Sequence, residues 1–554
     1  MIKNVLNNLF AYKKENTYNF IISNSSNNID ESEFNVIDNT SVSNHLNKNL
    51  DYLNTKLNIL INSDIKIRNF NIILKTKKYP AFILYIDGLV DSNNINNFIL
   101  EPLFLRNSIK MSESAIFHQT ENGKKCIRYN LENFLYSSLI PQNNISKETN
   151  FKDVIPKLNA GYTILFVESL KCCFCIESKG FKERAISKPI TESVVRGAHE
   201  GFVENIRTNT SLIRKIINNE KLIIEELEVG KITKTKVAIT YLKNITNDDL
   251  ISEVKYRIKN LNIDYILSTG QLEQFLKSSP TSIFPETLST ERPDKTCNYL
   301  LLGRVAILIN GSPFSIIVPA IISDFLTSPE DFNLNYHYAN FLRFLRSLAA
   351  ICALLIPGLY IAITMYHYEL IPTELLYAII ASREAIPFPI FFEIIIMELS
   401  FELLQEASIR VPSSFSTTVG IIGALILGEA AVSANIVSPI LIIVIAFAGT
   451  AAFALPDNSL RFAIRLCRFI YILLGYLAGF LGIALGIFIQ ILFLSKQSSF
   501  GINILTPYIP FKNIRDNQGI YLDPVWKREK RSKMLNSKKP SIQNHISMKW
   551  RNNG

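Results

Sequence analysis

The sequence predicts an α/β cytosolic head of two lobes followed by an α-helical multi-pass membrane domain. Strand and helix patterns alternate through residues 51–340, long apolar segments follow, and the charge balance changes sharply along the chain. Residues 1–346 carry 41 basic and 36 acidic side chains, residues 347–494 carry 5 and 9, and residues 495–554 carry 12 and 3. Only 19% of the 554 residues are charged, against roughly 25% in a typical soluble domain. This distribution excludes a soluble enzyme and a DNA-binding protein, and no nucleic-acid partner is expected.

The first lobe is predicted over residues 51–150, after an Asn-rich leader at residues 1–50 that is too polar to fold alone and is expected to be mobile. Alternating apolar residues in IKIRNFNIIL and YPAFILYIDGLV predict strands, and INNFILEPLF predicts a helix. The leader has no continuous apolar core of the kind a secretory signal needs, so the head is expected in the cytosol.

The second lobe is predicted over residues 151–340. Two strands in AGYTILFVESLKCCFCIES precede a long linking helix in TESVVRGAHEGFVENIRTNTSLIRKIINN, and further strands and helices follow. Asn310 and Gly311 separate two β-rich runs near the end of the lobe, and this pair is typical of a two-residue hairpin turn. The lobe is therefore expected to close with a hairpin.

No catalytic motif, cofactor loop or metal-binding pattern is apparent in the head, so neither an enzyme nor a cofactor is predicted. Cys172, Cys173 and Cys175 raise the alternative of zinc, but their spacing favours small apolar side chains that fill a strand. Two charged clusters are candidate inter-domain contacts: Arg196, Glu200 and Arg207 in the first, and Glu291, Arg292 and Asp294 in the second. The simpler interpretation is a helix-surface lattice for the first cluster and a solvated turn for the second.

The membrane domain is predicted over residues 341–494. Four segments, at about 347–366, 416–434, 437–455 and 469–494, are long enough to cross roughly 30 Å of hydrocarbon. Residues 371–410 lie between the first two and are apolar but carry eight charges, so they are predicted to form amphipathic helices.

Glutamates in these segments are candidates for an ion path. Glu398, Glu402 and Glu406 recur every four residues, and Glu429 is alone in an apolar span. One alternative is an interfacial helix whose carboxylates face water. The other is a water-filled path in which several copies of the chain bring these carboxylates together as rings of negative charge.

Small residues repeat at helical spacing in two spans and predict close helix packing. They are Gly420, Ala424 and Gly428 in one span, and Gly475, Gly479, Gly482 and Gly486 in the other. Such packing favours assembly into a homo-oligomer.

The basic tail, residues 495–554, is predicted to be cytosolic and to lie against anionic membrane lipid, which gives an even number of crossings. Four spans satisfy this if residues 371–410 do not cross. Arg461, Arg465 and Arg468 would then lie on the outer side, unless they pair with the carboxylates of the same domain.

Several stretches in the right order resemble the A subunits of the GerA family of bacterial spore germinant receptors. They are YIDGLVDSNNINNFILEPL, ESVVRGAHEGFVENIRTNTSLIRKII, EELEVGKITKTKVAITYLKNI, STERPDKT, LLLGRVAILINGSPFSIIVPA, IPTELLYAIIASREAIPFPIFFEIIIMELSFELLQEASIRVP, TVGIIGALILGEAAV and SSFGINILTPYIP. The chain departs from the family pattern at Ala198 and His199, where Pro-Arg is common, and at Glu429, where an amide is common.

The resemblance implies a non-enzymatic subunit of a nutrient-sensing receptor in the spore inner membrane. Its partners would be a transporter-like B subunit and a lipoprotein C subunit, and several copies would form a ring that releases ions. Two alternatives remain: a paralogue of the family associated with dipicolinic-acid release, and a secondary transporter. A transporter would be expected to show inverted repeats and broken helices, and no internal repeat is found.

Overall fold

The structure is a computed structural model of the chain. It describes residues 20, 22, 40–74, 77–105, 117–119, 125–127, 131–180, 189, 192–410, 426–509 and 521–543.

The first lobe is built on an antiparallel five-stranded sheet with strand order β1-β2-β6-β7-β5. Its elements are α1 (Leu46–Leu57), β1 (Ile65–Leu74), β2 (Lys77–Ile86), α2 (Ser92–Asn94), a π-helix (Ile95–Leu100), α3 (Glu101–Leu105), β3 (Phe117–Gln119), β4 (Lys125–Ile127), α4 (Leu131–Phe134), a π-helix (Leu135–Leu139), β5 (Ile145–Glu148), α5 (Phe151–Asn159), β6 (Tyr162–Val167) and β7 (Cys173–Glu177). Helices cover both faces of the sheet, so β6 and β7 are almost continuously apolar rather than alternating.

The second lobe repeats this architecture with an antiparallel sheet of strand order β10-β12-β11-β9-β8. Its elements are α6 (Ile206–Ile216), β8 (Leu222–Val229), β9 (Thr235–Leu242), α7 (Asp248–Lys259), α8 (Thr269–Leu276), β10 (Leu288–Thr290), α9 (Pro293–Leu301), β11 (Val305–Ile309), β12 (Ser315–Val318), α10 (Ile322–Phe325) and a 3-10 helix (Pro329–Phe332). The first part of the chain therefore contains sheets and helices, as predicted, and all the strand pairs in these two sheets are antiparallel. The predicted boundary at residue 150 differs from the structure, because β6 pairs with β2 and β7 pairs with β5, so both strands belong to the first lobe and not to the second.

Two local predictions differ from the structure in this lobe. The linking helix is only α6, and residues 192–205 form no helix because their polar groups bond across the head rather than along the chain. Strands β11 and β12 do form a hairpin, but Leu308 pairs with Ser315, so the connection is longer than two residues. Asn310 accepts a hydrogen bond from the amide of Ile206, and this longer loop therefore holds the start of α6.

A buried ion pair joins the two lobes. Arg214 on α6 donates to both carboxylate oxygens of Asp64, which precedes β1, and to the side-chain oxygen of Asn62. That same oxygen of Asn62 accepts a hydrogen bond from the amide of Ile224 on β8, 2.9 Å away. Because Arg214 and Asp64 are both nearly inaccessible to solvent, the two sheets are held by polar contacts that water does not reach.

The second half of the chain is helical. Its elements are α11 (Tyr336–Tyr366), a 3-10 helix (Tyr368–Leu370), α12 (Thr373–Arg383), α13 (Ile390–Arg410), a π-helix (Ile426–Ala430), α14 (Ala431–Ser433), α15 (Pro439–Phe453) and α16 (Asn458–Lys496), followed by β13 (Ser498–Ser499), β14 (Ile502–Asn503) and 3-10 helices at Val525–Lys527 and Lys533–Leu535. Among the residues that the structure describes, α11 and α16 are long and apolar enough to cross a membrane, and α15 is a shorter apolar helix. Most of the predicted span at 416–434 lies outside the described residues.

Helix α16 is two helical limbs rather than one straight span. Ala478 and Gly479 leave the helical conformation, and Gly479 has a φ of +57°, which favours glycine. Beyond this break the chain folds back, because the hydroxyl of Tyr471 contacts the side-chain oxygen of Gln490. The predicted crossing at 469–494 is therefore divided near its middle into an outgoing limb and a returning limb.

The membrane helices pack directly against the second lobe. Leu288, Ile317 and Phe325 of the head share one apolar cluster with Ala452 near the end of α15 and Leu460 at the start of α16. After α16 the chain re-enters the head, where Phe500 joins the core of the second lobe beneath the guanidinium of Arg257.

The tail also packs on the head where the structure describes it. Leu522 exchanges two hydrogen bonds with Asn340 on α11, and Lys538 pairs with Asp248 on α7 at 2.6 Å. At these two positions the tail contacts protein, whereas the sequence predicted a tail lying on lipid. Most of the leader that was expected to be mobile lies outside the described residues. Within it, Ile22 is buried beside Ile321.

Candidate functional site in the membrane helices

One buried arginine joins four helices of the membrane domain. Arg468 on α16 pairs with Glu398 on α13, with 2.9 Å between Nη1 and Oε2. The same guanidinium donates from Nε to the carbonyl of Ala353 on α11 and from Nη2 to the carbonyl of Ala448 on α15. Side-chain exposure is 1% for Arg468 and 0% for Glu398, so this ion pair is fully enclosed.

A second pair lies one helical turn closer to the head. Arg465 forms an ion pair with Glu402, which is one turn after Glu398 on α13. Arginine residues spaced by three and glutamates spaced by four occupy the same faces of their helices, so two ion pairs stack along the contact between α13 and the outgoing limb of α16.

A third pair lies toward the opposite end of α13. Arg383 on α12 donates to Glu393 at 3.0 Å, and the other oxygen of Glu393 accepts a hydrogen bond from the amide of Ser438, which caps α15. We call these three pairs, Arg383–Glu393, Arg468–Glu398 and Arg465–Glu402, the ion-pair ladder.

The ladder explains how charges persist in an apolar domain. A single buried charge is expensive in a low-dielectric environment, whereas a paired and hydrogen-bonded charge is tolerated. In this chain Glu398 and Glu402 have arginine partners, so their charges are compensated within one copy. The spacing suggested that Glu398 and Glu402 contribute unpaired negative charge to an ion path. In the described part of this chain, both carboxylates are instead paired with arginine.

The other two candidate glutamates are exposed. Glu406 has a side-chain exposure of 60% and pairs with Arg410 one turn later on the same helix. Glu429 is also exposed, on the π-helix Ile426–Ala430. These two carboxylates, unlike Glu398 and Glu402, are accessible to solvent.

The predicted small-residue contacts occur within one chain where the structure describes them. A Cβ added to Gly475 would lie 2.5 Å from the carbonyl oxygen of Gly358, so α11 and α16 meet at backbone contact. Gly479 provides the reversal of α16, and Gly482 and Gly486 on the returning limb face Leu474 on the outgoing one. Gly428 has no such neighbour within the described parts of the chain. Gly420 and Ala424 lie outside the described residues.

The second charged cluster of the head is dry rather than solvated. Arg292 has no exposed surface; it pairs with Asp294 at 2.7 Å and donates to the carbonyls of Glu192 and Ala198. The carbonyl of Glu291 accepts a hydrogen bond from the amide of Phe202. The interpretation as a solvated turn was wrong, because the chain at 192–203 folds over α9 and covers these charges.

The first cluster is not a helix-surface lattice, because Arg196 and Glu200 precede α6. Arg207, at the start of α6, pairs with Asp87 at the end of β2 in the first lobe and so contacts another lobe. Glu200 pairs with Lys215 at 2.7 Å. The carbonyl of Arg196 accepts a hydrogen bond from Asn333.

The three clustered cysteines fill the core of the first lobe. Cys173 and Cys175 face one side of the sheet, and Cys172 packs on the other side. Burial raises the pKa of the Cys172 thiol to about 11, which disfavours the thiolate that a metal ion needs. Among the described residues, no group of three or more metal-ligating side chains comes together.

Sequence reasoning missed the arginine side of the ladder as a site. The sequence indicates Arg461, Arg465 and Arg468 only as partners of the carboxylates, and not as functional residues. The signal was present in the spacing, because charged residues on two apolar segments recur at matching helical intervals and carry opposite signs. Arg461 has no carboxylate partner within bonding distance among the described residues, and it donates to the carbonyl of Leu455.

Two lobes of sheet and helix, apolar helices of membrane-crossing length and a buried ion-pair ladder define a membrane protein with a folded head. The chain belongs to the GerA family, because the family model described as "Bacillus/Clostridium GerA spore germination protein" matches residues 51–534.

The chain is also similar to individual known proteins. The chain is 34% identical to spore germination protein KA of Bacillus subtilis (strain 168) over 86% of this chain and 84% of that protein. It is 35% identical to the uncharacterized membrane protein YfkQ of the same organism over 85% and 87%. Among solved structures, the crystal structure of the N-terminal domain of the A subunit of the Bacillus megaterium spore germinant receptor GerK3 is 27% identical, covers 51% of this chain and 98% of that chain, and has a TM-score of 0.36.

Proposed function

We propose that this chain is the A-type membrane subunit of a nutrient-sensing spore germinant receptor in the spore inner membrane. The observation that carries the proposal is the family match, which extends through both the head and the membrane helices. Its proposed partners are a transporter-like B subunit, a lipoprotein C subunit and further copies of the chain itself.

The proposed topology has an even number of crossings, with head and tail on the cytosolic side. Helix α11 starts beside the tail, and Tyr366 at its other end bonds to the carbonyl of Tyr476 near the bend of α16. Helix α15 runs back, since Leu441 near its start packs with Ile361 and Ala452 near its end packs with the head. Helix α13 also runs back toward the head, since Glu393 near its start bonds to Ser438 and Glu402 pairs with Arg465 one turn nearer the head. The two limbs of α16 add one outward and one returning crossing in place of the single crossing expected at 469–494. With the crossing expected from the sequence at 416–434, the proposed number of crossings is even.

In the proposed assembly, the ion-pair ladder holds the helices of each subunit together, and the ion path runs between subunits. Glu398 and Glu402 are neutralised by arginine within the chain, so they hold the helices in register. The solvent-accessible carboxylates Glu406 and Glu429 are the better candidates to line a shared path, because carboxylates that reach water attract cations. This assignment reduces the candidate residues of the ion path from four glutamates to two.

The germination role is tested in spores of the organism that carries the gene. Deleting the gene is expected to abolish germination in response to at least one nutrient, and the intact gene restores it. Glu429→Gln should restore protein level but lower cation release, because it removes charge at unchanged shape. Glu369→Gln, which changes an exposed glutamate at the end of α11, is the matched control and should behave as wild type. Unaltered germination in every nutrient would contradict the proposal.

The same spores distinguish the paralogous class. A paralogue associated with dipicolinic-acid release would leave nutrient recognition intact and change the rate at which dipicolinic acid leaves the spore. Neighbouring reading frames that encode a permease-like multi-span protein and a lipoprotein would support the receptor. A secondary transporter would instead move a substrate in vesicles without any partner subunit.

A further inference from the structure

A cavity of about 350 Å³ lies where the tail covers the second lobe next to the membrane helices. Its lining residues come from 298–302 at the end of α9, from 324–343 between α10 and the second turn of α11, and from the tail segment at 525–543. The lining includes the apolar residues Leu302, Phe332 and Ile542. The cavity is therefore formed jointly by three parts of the chain that are distant in sequence.

The tail brings two arginines to this cavity that have no carboxylate partner within bonding distance among the described residues. Arg531 is 8% exposed and donates to the carbonyls of Leu301, Lys539 and Ser541. Arg528 donates to the backbone carbonyl of Asp523 and lies over the ring of Phe332. In the described part of the chain, neither guanidinium forms an ion pair within 4.0 Å, so both retain their positive charge next to the cavity.

Burial lowers the pKa of both guanidinium groups, because it disfavours their charged form. It lowers the pKa of Arg531 to about 10. Burial and the positive charge of Arg343 lower the pKa of Arg528, and the negative charge of Asp523 partly offsets this effect. An anion placed between them would relieve this cost.

The remaining charges of the lining do not compensate the arginines. Arg343 on α11 and Lys530 on the tail add two further basic groups, and Arg343 shares the carboxylate of Asp331 with Arg346. Asp324 is the acidic residue among the described lining, and Arg304 already pairs with it at 2.6 Å. The lining thus has a surplus of positive charge beside an apolar wall.

We propose that this cavity binds an organic phosphate, with the phosphate between Arg528, Arg531 and Arg343 and the organic part against Leu302 and Phe332. Guanidinium groups pair with phosphate oxygens through directed hydrogen bonds, and phosphate offers oxygens to several arginines at once. Arg343 lies one turn before the apolar part of α11, so the phosphate of a lipid headgroup and that of a soluble metabolite can both reach the cavity.

Binding at this site would hold the tail on the head. Asn340 and Arg343 stand one turn apart on α11, and Leu522 of the tail bonds to Asn340. A phosphate that bridges Arg343 to the tail arginines would add a second connection between the tail and the first membrane helix.

The experiment measures fluorescence of Trp526, which adjoins the lining residue Val525. The full chain, with its other tryptophan replaced by Trp550→Phe, is placed in phosphatidylcholine nanodiscs and titrated with glycerol 3-phosphate. A parallel sample uses phosphatidylglycerol nanodiscs without added phosphate. Saturable change in the first sample identifies a soluble organic phosphate, and change confined to the second identifies a lipid headgroup.

Variants separate this site from general attraction to a basic tail. Arg528→Gln should weaken the response at least tenfold, and Lys530→Gln, an exposed lining residue, should weaken it in the same direction even if Arg528→Gln reduces folding. Lys527→Gln removes an exposed charge on the same turn that does not line the cavity, and its response should stay within twofold of wild type. The proposal is overturned if neither sample responds, or if all three variants behave alike.

Discussion

At the scale of single residues, burial decides what each charge can do. Glu398 and Glu406 lie eight residues apart on α13, yet the first is enclosed with Arg468 and the second is exposed with Arg410. An exposed pair contributes about 0–1 kcal/mol, whereas removing one member of a buried pair costs about 3–5 kcal/mol because it leaves the partner charged and unsolvated. The same residue type therefore has a structural role at one position and an accessible one at the other.

A double-mutant cycle tests the ion pair between Arg468 and Glu398. Glu398→Gln is expected to lower stability by about 3–5 kcal/mol, and Arg468→Met by a comparable amount. Combining them should recover much of the loss, because no buried charge remains. Thermal unfolding in detergent measures each variant.

The control for this cycle is Glu406→Gln, for which little change is expected. If the losses from Glu398→Gln and Arg468→Met simply added in the double variant, the two residues would not be energetically coupled. That result would contradict the stabilising role assigned to the Arg468–Glu398 ion pair.

At the scale of elements, sequence periodicity predicted which helices and strands form, but it did not predict where the chain reverses direction. Apolar runs and alternation predicted sheets and helices in the head, and the closing hairpin forms between β11 and β12. The break in α16 escaped detection, because Ala478 and Gly479 lie in an uncharged run that reads as one span. Local sequence indicates that a helix forms, but the reversal depends on Tyr471, Leu474 and Gln490 packing across the break.

The candidate site shows the same division. Carboxylate spacing identified one face of α13, while the partner of each carboxylate depended on how α16 packs against it. The buried Arg292 was predicted to lie in a solvated turn, because the segment that covers it, residues 192–203, is nearly a hundred residues away in sequence.

Close contact between α11 and α16 gives a prediction at this scale. Gly475→Leu should destabilise the membrane helices by about 1–3 kcal/mol or more, because the added side chain meets the backbone at Gly358. Thermal unfolding and gel filtration in detergent measure the change. Ala484→Leu adds the same bulk at an exposed position of the returning limb and should be tolerated. Equal stability of the two variants would contradict the contact.

At the scale of the whole molecule, head, membrane helices and tail form one connected body. Head residues share an apolar cluster with α15 and α16, and the tail bonds to both the head and α11. If both ends of the membrane domain return to the head, the crossings must be even in number.

Accessibility labelling tests this arrangement. Lys533→Cys on the tail and Tyr265→Cys on the head are both exposed, as is Leu370→Cys beyond the far end of α11. An impermeant thiol reagent added outside right-side-out vesicles should label the third variant alone, with the unsubstituted chain as the baseline. Labelling of Lys533→Cys from outside would refute the even topology.

Phe500 places a condition on the order in which the protein can be made. It belongs to the core of the second lobe, but the ribosome synthesises it after every strand of that lobe and after both limbs of α16. The core of this lobe is therefore incomplete until translation has passed both limbs of α16. A chain that ends before Phe500 lacks one residue of this core, so its head remains a better substrate for the quality-control proteases of the cell.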